Sequence, residues 1–167
     1  MHPAPIELLQ RMPIFGAIRE DTLGVLLQHA GTVAVPAGAY FFRETDAASS
    51  MFVLESGSVS VLKLWQGVDD LLHHLCAGDC LGEMALMDLQ PRSASVRADT
   101  GCVAIELASA DLMRLYEHEV EQFALIQMNI GREVCRRLRA TDELLFRFRL
   151  GDAASSGHPI GGAGHGS

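Results

Sequence analysis

The chain has 167 residues and a mass of 18.1 kDa, with 49 % hydrophobic and 6 % aromatic residues, a composition that fits one globular domain with an aliphatic core and excludes a disordered chain. A formal net charge of −8 and a pI near 5.3 oppose general affinity for nucleic acid or anionic membranes. No run approaches the length of a membrane span, and Met1-His2-Pro3-Ala4-Pro5-Ile6-Glu7 lacks the basic and apolar regions of a secretory signal, so a cytoplasmic protein with reduced cysteines is expected.

Residues 1–30 carry Leu8, Leu9, Met12, Ile14, Phe15, Leu23, Leu26 and Leu27 at helical intervals, interrupted by Pro13 and Gly16. This predicts two short helices, the second starting near Glu20 or Asp21. Over residues 31–108 the period changes. Short apolar runs at Thr32 to Val35, Tyr40 to Phe42, Met51 to Leu54, Val59 to Leu64, Leu71 to Cys76, Cys80 to Leu81, Ser93 to Ala98 and Cys102 to Leu107 are separated by glycine-bearing turns. Eight strands at this spacing predict a mainly β fold, an eight-stranded β-roll or jelly roll with flanking helices.

Residues 109–150 return to helical character as one short and one long helix. Ser109 is the expected N-cap of the first, with Asp111 in its opening turn. The second should run from about Val120 to Arg149. Val134, Leu138, Thr141, Leu145 and Phe148 alternate spacings of four and three along it, the seam of a coiled coil, which predicts a homodimer through this helix. The same face packing on the roll is the competing reading. Arg132, Arg136, Arg137, Arg139, Arg147 and Arg149 crowd the helix, but Glu133, Asp142 and Glu143 dilute them, as on a solvated face. Residues 151–167, rich in Gly, Ser and Ala, are expected to form a flexible tail.

The candidate binding residues lie within 78–98, GDCLGEMALMDLQPRSASVRA. A turn of Gly82 and small residues leaves backbone N–H groups, with Met84 and Ala85 as the candidates, free to converge on an anion. Arg92, nine residues after Glu83, can lay its planar fork across that anion, while the Glu83 carboxylate can accept from a pair of hydroxyls. One anion and one diol make a sugar phosphate. No GxxxxGK[ST] is present to bind a polyphosphate. The competing reading is a surface turn in which Glu83 and Arg92 merely pair with each other.

Gly-Glu-x-Ala-Leu followed by Pro-Arg-x-Ala-x-Val resembles the phosphate-binding cassette of the cyclic nucleotide-binding domain family, and the likeness extends from about Leu8 to Phe148, including Leu54-Glu55-Ser56-Gly57-Ser58-Val59. That resemblance implies a sensing, non-enzymatic protein whose ligand is a cyclic nucleotide. It implies that Glu83 holds the ribose 2′-hydroxyl, that Arg92 and the Met84 and Ala85 amides hold the cyclic phosphate, and that Ser93 adds a hydroxyl or amide contact. In the family a threonine after the cassette arginine goes with cyclic GMP; Ser93 stands here, so cyclic AMP is the expected ligand and cyclic GMP the alternative.

Arg136-Arg137-Leu138-Arg139-Ala140-Thr141 resembles the matching helix of the family's bacterial activators. The likeness implies that Thr141 contacts the adenine edge while Arg137, on the same helix face, reaches toward Glu83. A tolerated hydroxyl and a solvated arginine is the competing reading. Asp142 replaces a serine that reaches across the activator dimer, so no contact from a partner subunit is implied. The family's transcription factors continue into a helix-turn-helix domain, which the segment after Leu150 is too short to supply, so the expected output is to an effector protein and not directly to DNA.

Two alternatives remain at this level: an interaction module of the same fold with a lost or altered ligand, and a cupin-like metalloenzyme. His73, His74, Cys76 and Cys80 are the residues to weigh for a metal. Alternation on a strand sends His73 and His74 to opposite faces, and neither a His-x-His pair nor a Gly-x-Ser-x-Gly elbow occurs, so neither a metal nor catalysis is expected.

Overall fold

The computed structural model describes residues 5–155. The chain forms two compact units, Met1–Gly131 and Arg132–Ser167. The first opens with helix α1 (Pro5–Gln10), a 3₁₀ turn (Pro13–Phe15) and helix α2 (Glu20–His29). Eight strands follow: β1 (Gly31–Val35), β2 (Tyr40–Phe42), β3 (Ser50–Ser56), β4 (Ser58–Trp65), β5 (Val68–Cys76), β6 (Cys80–Leu81), β7 (Ser95–Ala98) and β8 (Cys102–Ala108). Helix α3 (Met84–Asp88) interrupts them, and helices α4 (Ser109–His118) and α5 (Val120–Ser155) complete the described chain.

The strands form two four-stranded antiparallel sheets, ordered β1-β8-β3-β6 and β2-β7-β4-β5. Period-two alternation sends one set of side chains from each strand into the space between the sheets: Phe52 and Leu54, Val59 and Val61, Val96 and Ala98, Cys102 and Ala104 all join one core cluster. The intervening residues of β3 and β8, Met51, Val53, Ile105 and Leu107, are equally buried. They face the helical layer, whose own buried side chains include Leu9, Ile14, Phe15, Leu23, Leu26, Leu115, Ile126 and Ile130.

Polar contacts fasten that layer. The Arg19 guanidinium pairs with Glu119, and the buried Thr22 hydroxyl donates to the same carboxylate at 2.8 Å. Asn129 on α5 donates to the carbonyl oxygens of Ile14 (3.3 Å) and Gly16 (2.8 Å), holding the turn that follows α1.

Several boundaries differ from the sequence reading. Strand β5 starts at Val68 because Asp69 and Asp70 sit on an exposed hairpin where charge is tolerated; its two-residue loop, Gln66-Gly67, has φ of +50° and +81°, a type I′ turn. The hairpin carries Trp65, which is 69 % exposed. Ser109 is the first helical residue of α4 and not its cap: Asp111 supplies the cap, accepting the Ala108 N–H at 2.9 Å. Helix α5 continues to Ser155, through residues assigned to a tail; the remainder of that tail, 156–167, lies outside the described residues.

In the second unit α5 carries an internal ion-pair cluster. Glu133 accepts from Arg136 at 2.5 Å and from Arg137 at 3.3 Å. Leu138, Leu145 and Phe148 are exposed on it.

Candidate functional site

The site grows from the end of β6. That strand pairs with β3 only through Leu81 and Cys80, after which Gly82, with φ +80°, turns the chain away. Glycine is required there twice over. The left-handed backbone disfavours any Cβ, and a Cβ would overlap Arg92 Nη1 and lie 3.3 Å from the Phe42 ring. Glu83 then enters α3, whose first turn presents the Met84 and Ala85 amides ahead of the helix's own hydrogen-bond ladder. Leu89 closes the helix in a left-handed conformation, φ +55°, and Asp88 accepts the Gln90 N–H at 3.0 Å. This stretch is helical where the sequence predicts a turn.

Arg92 is buried at 5 % exposure. Nη1 donates to the Gly82 carbonyl at 3.0 Å and Nη2 to the Ser50 carbonyl at 2.7 Å, while the guanidinium carbon stands 4.0 Å above the Phe42 ring and 5.9 Å from that of Phe52. Its backbone is held as firmly: the Arg92 N–H donates to Asp46 O at 2.9 Å, and the Thr45 N–H to Arg92 O at 2.8 Å. Burial pulls the guanidinium below its ordinary pKa, and the Asp46, Glu106 and Glu83 carboxylates pull it back up. Nε is buried with no hydrogen-bond partner among the described residues. A desolvated cation with an unsatisfied donor favours an anion close by.

Glu83 is more buried still, at 2 % exposure, so the surface pairing weighed from sequence does not describe these two residues. Gly82, Glu83, Met84, Ala85, Arg92 and Ser93 all belong to the first unit. Ala85 is buried, Met84 is 43 % exposed, and Ser93 is exposed, its carbonyl accepting from Lys63 Nζ at 2.7 Å. Arg137 and Thr141 lie one turn apart on α5 in the second unit, where the Thr141 hydroxyl donates to the Arg137 carbonyl at 3.0 Å. Strand β7 begins at Ser95, so Ser93 sits in the bend before it.

Sequence reasoning missed the supporting residues Phe42, Glu44, Asp46, Ser50 and Lys63. They stand 29 or more positions from Arg92, and no local spacing marks them. Lys63 alone left a trace, as the only lysine of the chain. Of the residues weighed for a metal, His74 Nδ1 lies 3.2 Å from both Asp99 and the Ser60 hydroxyl, and Cys80 is buried. The Asp79 carboxylate pushes the Cys76 thiol up. Among the described residues no group of three or more His, Cys, Asp or Glu is disposed to hold a metal ion, and no helix is long and apolar enough to cross a membrane.

Comparison with known proteins places the chain in a family and a fold. The family model described as cyclic nucleotide-binding domain matches residues 32–119. The chain is 31 % identical over 107 residues to the cAMP-dependent protein kinase regulatory subunit of Emericella nidulans, covering 64 % of this chain and 26 % of that one. It is 30 % identical over 126 residues to the cAMP-activated global transcriptional regulator CRP of Salmonella typhimurium, covering 74 % of this chain and 58 % of that one. It therefore spans between about a quarter and three-fifths of the length of these relatives. A solved cyclic nucleotide-binding domain from Methylobacillus flagellatus shares the fold, with a TM-score of 0.75, 22 % identity, and coverage of 85 % of this chain and 81 % of that one.

Proposed function

Because the chain belongs to the cyclic nucleotide-binding domain family, we propose that it senses a cyclic nucleotide monophosphate, cyclic AMP by preference and cyclic GMP as the alternative, and passes the signal to a partner protein. The observation that carries this reading is Arg92: a buried guanidinium stacked on Phe42, fixed through two carbonyls, with Nε unsatisfied. Such a group suits a singly charged cyclic phosphate, and the Met84 and Ala85 amides of α3 complete its ring of donors. Glu83 takes the ribose 2′-hydroxyl and Ser93 a further phosphate contact. For base preference the proposed residue is Thr141, which stands one helical turn from Arg137 on α5. The relatives named for cAMP support the adenine preference.

The function is binding and not catalysis. The ligand favours one arrangement of cassette and helices over another, and that difference in affinity is the signal. The protein acts as a homodimer through α5.

Calorimetric titration with cyclic AMP and cyclic GMP tests the reading. Arg92→Ala should lose about 2–3 kcal/mol of binding free energy, roughly 30- to 150-fold in Kd, through loss of a charge-assisted phosphate contact. No binding of either nucleotide by the wild-type protein refutes the function; equal affinity in the variant refutes the site. Thr141→Val should weaken cyclic AMP binding and leave cyclic GMP unaffected, and an unchanged preference removes Thr141 from base recognition.

A further inference from the structure

The β4–β7 ladder ends where Leu62 pairs with Ser95. Between Ser95 and Arg92 the chain leaves the sheet, so the segment that aims the guanidinium lacks strand pairing with β4. A side chain takes over. Lys63, the next residue of β4, donates from Nζ to the Ser93 carbonyl at 2.7 Å and to Glu44 Oε1 at 2.5 Å. The other Glu44 oxygen accepts the Leu64 N–H at 3.1 Å, and the Glu44 N–H donates to the Ser95 hydroxyl at 2.8 Å. Glu44 stands beside Thr45 and Asp46, whose backbone groups hold both the carbonyl and the N–H of Arg92. Thus one ammonium grips the residue after Arg92 directly and steadies the loop that clamps Arg92 itself.

The pair is tuned for this. The Lys63 hydrogen bond holds the Glu44 carboxyl below its usual range, with the Leu64 amide second. The partners come from three separate parts of the chain, the β2–β3 loop, β4 and the approach to β7. A surface ion pair elsewhere contributes little, but here the carbonyl contact converts it into a three-point clamp.

We propose that Lys63, with Glu44, is a positioning residue for nucleotide binding: it sets the backbone on both sides of Arg92 and so the aim of the guanidinium. This rests on the function proposed above, yet the clamp can be tested without nucleotide. In Lys63→Met, hydrogen exchange at the Thr45 and Arg92 amides should quicken about tenfold, while the β1–β8 ladder keeps its protection. Cyclic AMP affinity should fall about tenfold, the scale of loss known when the partner that orients a metal-binding side chain is removed. Lys63→Arg, which keeps the charge and the donors, should restore both readouts to within about twofold of wild type. Unchanged affinity in Lys63→Met overturns the proposal, as does failure of Lys63→Arg to restore it. If wild type binds no cyclic nucleotide, the proposed function falls, and exchange decides the clamp: quickened Thr45 and Arg92 amides uphold it, and unchanged amides overturn it.

Discussion

Gly82 and Arg92 determine each other. The glycine's φ of +80° brings its carbonyl to Arg92 Nη1, and the missing Cβ leaves room for the guanidinium. Gly38 offers a control, since its φ is +84° but nothing lies within 4 Å of where its Cβ would be. Gly38→Ala should lose about 1 kcal/mol of stability in urea unfolding from the left-handed backbone alone, and Gly82→Ala should lose more, because its Cβ also meets the Arg92 guanidinium. Only Gly82→Ala should also weaken nucleotide binding, by at least about tenfold, because it alone displaces Arg92. Equal affinity in the two variants would sever the link between the turn and the site. The Gly-Glu and Pro-Arg pairs were legible because short spacing encodes them. Lys63 and Glu44 were not, because a clamp assembled from residues 19 to 30 positions apart leaves no periodic trace.

At the level of elements, the change from helical to alternating period marked the strands, and the glycines marked their turns. What escaped was whatever a neighbour decided. Asp69 and Asp70 broke the apolar pattern but still pair across from Leu64 and Lys63, and Ser109 lost its capping role to Asp111, two residues on. Helix α5 yields a pH prediction. The Arg136 hydrogen bond, aided by Arg137, holds the Glu133 carboxyl below its ordinary value despite partial burial. A lowered carboxyl pKa contributes stability that is fully present above the unfolded value, about 4.3, and fades as pH falls through the folded value. Helicity of the wild type should therefore drop more steeply below about pH 4.3 than that of Glu133→Gln, as followed by circular dichroism. Parallel acid curves would show that this cluster does not support the helix.

For the whole molecule, composition and period were enough to read a β-roll flanked by helices. The order of strands within the two sheets was not readable, since pairing such as β3 with β8 joins segments about fifty residues apart. Assembly is a question at the same scale. Leu138, Leu145 and Phe148 lie on the four-and-three stripe of α5 and are 59 %, 50 % and 71 % exposed, which suits a coiled-coil seam between two copies. Sedimentation should find a dimer for the wild type and a monomer for Leu138→Glu combined with Leu145→Glu. Phe146→Glu, off the stripe, should remain dimeric. A wild-type monomer would remove the seam.

The β4–β5 hairpin has an optical consequence. It carries the chain's only tryptophan, Trp65, 69 % exposed and two residues from Lys63. All indole emission from the protein therefore comes from one water-exposed ring beside the clamp. An effector that covers the hairpin shifts that emission to the blue and shields it from a soluble quencher, whereas one that docks elsewhere leaves it unchanged. The unlabelled protein thus reports by its own fluorescence whether its signal leaves through this hairpin.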